Sequence, residues 1–282
     1  MSSNRRNFLK KTAVGAIGIA TASISGVAHA ANEVIIDAKS TVLNLGVASY
    51  SLRKFSLEES LDMVVRSGLN RISLKSMHLP LDSDTATLKM AAALCKEKGV
   101  VLYGVGVIYM KSKAEVDQAF EYAKTAGAKT IIGVPNHALL DYVEHKVKEY
   151  DINFAIHNHG PGDKLYPSAE SAYVRIKDRD KRMGLCIDIG HTKRINRNPE
   201  QDLEAYFERV FDIHLKDVTK AAGDGKTCII GRGVINFPVF LKSVVALGYK
   251  GTLALEYEAE ADDPFPGVSE SVGYVKGILS VL

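Results

Sequence analysis

The chain has 282 residues, of which 46% are hydrophobic, 24% charged and 7% aromatic; this balance fits one soluble domain of about 250 residues, or two small ones, and excludes disorder, collagen and coiled coil. The formal charge of +3 is concentrated at the start, where residues 1–30 carry Arg5, Arg6, Lys10 and Lys11 and no acid, and without those four cations it becomes −1. So neutral a remainder offers no global cationic surplus for a nucleic-acid partner.

The first element in chain order reads as an address. NRRNFLKK is followed by an apolar stretch from Thr12 to Val27 and then by Ala28-His29-Ala30, the charged, apolar and small-x-small order of an export signal. The pair Arg5-Arg6 with Phe8, Leu9 and Lys10 behind it resembles a twin-arginine signal. We therefore expect cleavage after Ala30 and a periplasmic mature chain. Stable membrane insertion is not expected, because the apolar stretch is short, is interrupted by Thr, Ser and Gly, and ends at the cleavage pattern. The three cysteines, Cys95, Cys186 and Cys228, allow at most one bridge, and Cys95 and Cys186 fall where core residues belong.

From residue 43 one pattern repeats: a short apolar run, a turn, then helical periodicity. The runs are LNLGVAS (43–49), NRISLKS (70–76), VVLYGVGV (100–107), TIIGV (130–134), INFAIH (152–157), MGLCIDI (183–189), VFDIHLK (210–216) and TLALEY (252–257). Helices are expected near 56–67, 85–98, 113–126, 137–149, 169–178, 201–209, 236–247 and 268–281. Ser56 with Glu59 fits a capping box, and Gly68, Gly99, Gly127 and Gly248 stand where helices end. Eight such units match a (β/α)8 TIM barrel occupying residues 31–282 as a single α/β domain. A doubly wound open sheet is the alternative, but no G-x-G-x-x-G follows the first run, and polar residues gather after many strands instead. Gly104 and Gly106 suit close strand approach, and Gly231-Arg232-Gly233 is more simply a turn than a phosphate cradle.

In such a barrel, chemistry comes from the C-terminal ends of different strands. The last four ends read His157-Asn158-His159, Asp188-Ile189-Gly190-His191, His214-Leu215-Lys216-Asp217 and Glu256-Tyr257-Glu258. Strand parity puts His157 with His159, Cys186 with Asp188, Asp212 with His214 and Lys216, and Glu256 with Glu258 on shared faces. Burying unpaired carboxylates there is costly, and a divalent cation compensates. The ligand set read from this pattern is His157, Asp188, His214 and Glu256, a nitrogen and oxygen set suited to Mn, Co, Zn, Ni or Fe. The competing reading is a buried hydrogen-bonded network without metal.

These motifs, HNHGP at 157–161, DIGH at 188–191, HLKD at 214–217 and EYE at 256–258, resemble the sugar phosphate isomerase/epimerase family. Its xylose isomerase-like barrels include tagatose 3-epimerase, inosose dehydratase and 3-keto-glycoside lyase relatives and, more distantly, endonuclease IV. The resemblance spans nearly all of residues 43–282. It implies proton abstraction next to a carbonyl, with the metal holding substrate oxygens and stabilising an enediolate. It also implies Asp188, His214 and Glu256 as ligands and His191 as a substrate contact. The family usually offers a glutamate where this chain has His157, so a scheme with two exchanging glutamates does not transfer. If His157 is a ligand, the free base is Glu256, His159, Lys216 or Glu258, and His159 serves equally well as an orienting hydrogen-bond partner. On the early strands Lys75 and His78 are expected to contact sugar oxygens, and Tyr109 to wall the sugar ring. Lys193 and Arg194 follow DIGH as candidates for phosphate neutralisation.

Three functions compete. An enzyme acting on a keto-sugar by isomerisation, epimerisation or elimination uses the complete rim. An endonuclease IV-like phosphodiesterase wants more ligands and a basic face; a non-catalytic sugar-binding barrel lacks the acid, base and metal set. Export favours an unphosphorylated keto-sugar or a 3-keto-glycoside, where the ketone acidifies the C2 hydrogen and the C1 aglycone leaves. No nucleic-acid partner is expected, and homo-oligomers remain open.

Overall fold

The computed structural model describes residues 43–282; the expected export segment lies outside them. Each apolar run forms a strand: β1 (Asn44–Ala48), β2 (Arg71–Leu74), β3 (Val101–Met110), β4 (Thr130–Pro135), β5 (Asn153–His157), β6 (Met183–Asp188) and β7 (Val210–Leu215). A small antiparallel ribbon of β8 (Asp217–Val218) and β9 (Thr227–Cys228) intervenes before β10 (Thr252–Leu255). β1 pairs in parallel with both β2 and β10, so the sheet closes in the order β1-β10-β7-β6-β5-β4-β3-β2. Closure excludes the open doubly wound alternative and confirms the TIM barrel.

The α-helices are α1 (Leu57–Arg66), α2 (Thr85–Glu97), α3 (Lys113–Ala126), α4 (Leu140–Tyr150), α5 (Ala169–Ile176), α6 (Ile189–Arg194), α7 (Pro199–Tyr206), α8 (Phe237–Ala246) and α9 (Phe265–Leu279). Ser56 and Glu59 form the expected capping box on α1, satisfying two otherwise orphaned donors. Gly68, Gly99, Gly127 and Gly248 all take positive φ, between 67° and 74°, as helix-ending residues do. Two helices start earlier than the sequence reading placed them. α9 begins at Phe265 because Pro266 in its first turn needs no N–H partner, and the helix expected at 201–209 starts at Pro199 for the same reason.

Between barrel and helices lies an apolar layer in which Phe120 of α3 stacks on Phe154 of β5, ring centroids 6.1 Å apart, both fully buried. Each such side chain contributes about 1.5–3 kcal/mol. Gly106 lets β3 approach β4, since a Cβ there would collide with the Ile132 carbonyl. β3 runs on to Met110, three residues beyond the expected end, because Tyr109 and Met110 stay in register with Val134 and Pro135. Cys95 and Cys186 are buried, and all three cysteines are free. Among the described residues no helix is long and apolar enough to cross a membrane.

Candidate metal centre

Parallel strands bring all their C-terminal ends to one rim, and the register of β5, β6 and β7 aligns three of the expected ligands. His157 is paired with Cys186, and Asp188 with His214. The backbone N–H of Glu256, just past β10, donates to the Leu215 carbonyl and completes the row. Ligand atoms from His157, Asp188, His214 and Glu256 all lie within 4.8 Å of one another. None of the four residues is more than 4% exposed. Metal-competent side chains that far from water are arranged, not incidental.

The surrounding chain fixes their orientation. Asn158, also buried, accepts the Asp188 N–H through Oδ1 at 3.0 Å and donates to the Asp188 carbonyl at 3.3 Å, tying β5 to β6. Asp188 caps α6 with Oδ1, accepting the His191 N–H at 2.8 Å, which leaves Oδ2 free to face the cluster. Gly190 is required at the start of that helix: a Cβ there would lie 2.6 Å from Cγ of Lys216.

Lys216 runs beneath α6 to the centre of the acids. Its Nζ is 2.9 Å from Asp188 Oδ2, 2.9 Å from Glu256 Oε2, and hydrogen-bonded to Glu258. Burial works against its charge, but the three carboxylates outweigh it and hold its pKa well above the usual lysine value. Glu256 is held well below the carboxylate range because the Lys216 and His214 charges outweigh burial. For His157, burial dominates and keeps the ring neutral.

The donors fit a divalent ion. Asp188 Oδ2 and His157 Nε2 face each other at 3.7 Å inside the cluster. His157 Nε2 and His214 Nδ1 face each other at 3.2 Å, and His214 Nδ1 is 3.2 Å from Glu256 Oε2. Two imidazole nitrogens and two carboxylate oxygens converging in this way form a cluster positioned to coordinate a divalent ion of the Mn, Co, Zn, Ni or Fe class.

A cavity of about 240 Å³ opens beside the cluster, lined by Tyr50, Lys75, Val107, His157, His159, His191, Glu256 and Glu258. Lys75 lies 4.3 Å from the centroid of the Tyr50 ring, and burial lowers its pKa. His159 accepts or donates a 2.9 Å hydrogen bond with the Tyr109 hydroxyl through Nε2 and stacks on that ring at 5.5 Å. Its Nδ1 lies 3.5 Å from Asp163, whose other oxygen accepts the Leu165 and Tyr166 N–H groups. Tyr109 stands at the edge, 50% exposed. Burial pulls His191 down to about 4, so it is neutral at physiological pH.

Several expectations need correction. His78 does not reach the cavity: its ring is buried, with Nδ1 3.0 Å from Ser49 Oγ and Nε2 3.0 Å from Ser60 Oγ and 3.2 Å from the Leu52 carbonyl. Lys216 Nζ lies among Asp188, Glu256 and Glu258, whose charges raise its pKa, an arrangement that favours the ammonium over a base. The Gly231-Arg232-Gly233 segment is a turn, as expected, with the Gly231 and Gly233 amides taken by the Asp217 carboxylate. Arg194 donates to the Gly223 carbonyl at 2.7 Å.

Sequence reasoning missed Tyr50, Val107, Asn158 and Asp163. Tyr50 had a signal, since it follows the first strand; Asp163 acts through a loop contact that no periodicity marks.

Comparison with known proteins agrees with this architecture. Residues 61–278 match the family of xylose isomerase-like TIM barrels. The rhizopine catabolism protein MocC of Rhizobium meliloti is 24% identical over 151 residues, 48% of this chain but only 46% of that protein. The chain thus spans under half the length of that curated relative. Among solved structures, a D-tagatose 3-epimerase-like protein superposes with a TM-score of 0.70 at 20% identity, covering 85% of this chain and 98% of the other. The 3-keto-D-glucoside 4-epimerase of E. coli gives 0.69 at 14% identity, covering 83% and 99%. A match over most of the chain, on a closed eight-stranded barrel, shows that this protein belongs to the xylose isomerase-like TIM barrel family.

Proposed function

We propose that this protein is a divalent-metal-dependent carbohydrate enzyme of the isomerase or epimerase type, which abstracts a proton next to the carbonyl of a keto-sugar through an enediolate. The observation that carries the proposal is the convergence of four buried donors, with ligand atoms within 4.8 Å of one another, beside a cavity that also holds His159, Glu258 and Lys75. His157, Asp188, His214 and Glu256 would hold the ion; when bound, it supplies Lewis-acid polarisation of adjacent substrate oxygens.

The chain's own residues do the rest. His159 is neutral through burial, held by Tyr109 on one nitrogen and near Asp163 on the other, and exchanges the carbon-bound proton as base and then acid. Glu258 and Lys75 line the same cavity and bind hydroxyl and carbonyl oxygens. Lys216 keeps Asp188 and Glu256 ionised, and His191 places its imidazole against the substrate. A cavity of about 240 Å³ accommodates one sugar ring, and a second ring would extend over half-exposed Tyr109.

A second reading, elimination from a 3-keto-glycoside, uses the same enolate and differs only in what leaves. The similarity to a 3-keto-D-glucoside 4-epimerase and the export-type segment support a keto-glycoside substrate outside the cytoplasm. We propose a periplasmic location on the same segment, with an intact Met1 in a cytoplasmic fraction as the contrary result.

Incubation of the metal-loaded enzyme with ketoses and 3-keto-glycosides in deuterated water tests the proposal. Exchange of the hydrogen next to the carbonyl supports it, and aglycone release without isomer selects the elimination reading. Turnover that leaves that hydrogen untouched refutes it.

A further inference from the structure

Beneath the four donors lies a second buried layer that the proposed reaction does not use. Asp212, on β7 two residues before His214, is fully buried and shares its inward face. Its Oδ2 is 3.5 Å from His214 Nε2 and 3.6 Å from Cys186 Sγ. From across the barrel the Tyr103 hydroxyl donates to both carboxylate oxygens, at 3.2 and 3.3 Å. Tyr103 is itself steadied by the Arg71 guanidinium, 5.4 Å from its ring centroid.

We infer that Asp212 is a positioning residue that fixes the ring of His214 for metal binding, with Tyr103 holding Asp212 in place. An imidazole that gives one nitrogen to an ion carries its proton on the other. His214 turns Nδ1 toward His157 and Glu256, so its proton belongs on Nε2, and Asp212 is the carboxylate facing that atom. The separation is a few tenths of an ångström beyond a hydrogen bond, and a small ring rotation closes it. A carboxylate behind a ligating histidine locks tautomer and orientation and makes the ligand a better donor. Asp212 is shut off from solvent, and its oxygens lie against Tyr103, Cys186 and His214. A carboxylate in such a place is costly unless donors face it, and besides the Tyr103 hydroxyl the Nε2–H of a His214 that gives Nδ1 to an ion is the donor within reach.

The inference rests on the metal reading of this site, and its test is metal affinity, with no substrate involved. Titration of the metal-free wild type and of Asp212→Asn with Co(II), followed by the visible absorption of the bound ion, gives both a dissociation constant and a signature of ligand geometry. The variant is expected to bind about 10–100-fold more weakly, with a changed Co(II) spectrum, while its far-UV spectrum stays that of a folded barrel. Tyr103→Phe, which keeps the ring but removes the donor, is expected to shift the constant in the same direction by a smaller factor. Folded Asp212→Asn with wild-type affinity and an unchanged spectrum overturns the inference. If Asp212→Asn does not fold, Tyr103→Phe decides it, and wild-type affinity there overturns it. A wild type that binds no Co(II) removes the metal reading itself, whereas one that binds the ion beside an unaffected variant removes only the role of Asp212.

Discussion

Replacing Lys216 by Met removes a buried cation from among three acids while keeping most of the side-chain volume. In the metal-free protein the ammonium lies 2.9 Å from both Asp188 and Glu256, which are buried and ionised. Breaking a buried ion pair by deleting one partner costs about 3–5 kcal/mol. For a domain of this size each kcal/mol corresponds to about 2–4 °C in Tm, so the loss is on the order of 6–20 °C. A divalent ion reaches the same carboxylates and restores the compensation, so the variant gains more from metal than the wild type. At a hundredfold excess over its dissociation constant, an ion contributes about 2.7 kcal/mol to any folded chain that binds it; the gain in the variant exceeds that of the wild type by the relieved repulsion. Scanning calorimetry of both proteins in chelator and in saturating Mn or Zn measures the four Tm values. A Tm difference below about 2 °C in chelator, or one that metal leaves unchanged, refutes the reasoning.

Glu256→Gln keeps the side-chain shape but loses the charge that faces Lys216 and His214; turnover at saturating metal is expected to fall by about a hundredfold or more, and a near-normal rate in steady-state assays removes Glu256 from the machinery. Asp217→Asn weakens a carboxylate that accepts the N–H groups of Val218, Gly231, Gly233 and Ile235 at 2.8, 2.9, 3.0 and 3.2 Å; a loss of about 1–3 kcal/mol in urea unfolding is expected, and an unchanged midpoint contradicts the pinned-turn account. Burial lowers the pKa of His78 in the fold below 6.5, so the unfolded chain binds the extra proton and the stability contributed by His78 is present above that pH and lost as pH falls through it. His78→Gln is therefore expected to be less stable at pH 7 yet to lose less stability between pH 7 and 5, as measured by denaturant titration at each pH; parallel curves contradict this.

The barrel was legible because its repeating units carry their own punctuation: Gly68, Gly99, Gly127 and Gly248 close helices, and a strand follows each. The four donors were legible because strand parity is a local property, and parallel strands in a closed barrel turn local parity into a common destination. Where the sequence misled, the deciding contacts were distant. His78 resembles a rim residue until Ser49, Ser60 and the Leu52 carbonyl, from 18 to 29 positions away, supply its ring with partners. Lys216 resembles a base until Asp188 and Glu258 are folded around it. Asp212 shared its face with His214 in the sequence, but its pairing with Tyr103, 109 residues earlier, depends on closure of the barrel.

The measurement closest to the central claim is the divalent metal content of the purified, reconstituted protein beside that of His214→Ala. The four-donor centre predicts close to one ion per chain in the wild type, and a collapse in the variant, which loses the nitrogen that lies 3.2 Å from both His157 Nε2 and Glu256 Oε2. A folded wild type without bound ion, or equal metal in both proteins, contradicts it.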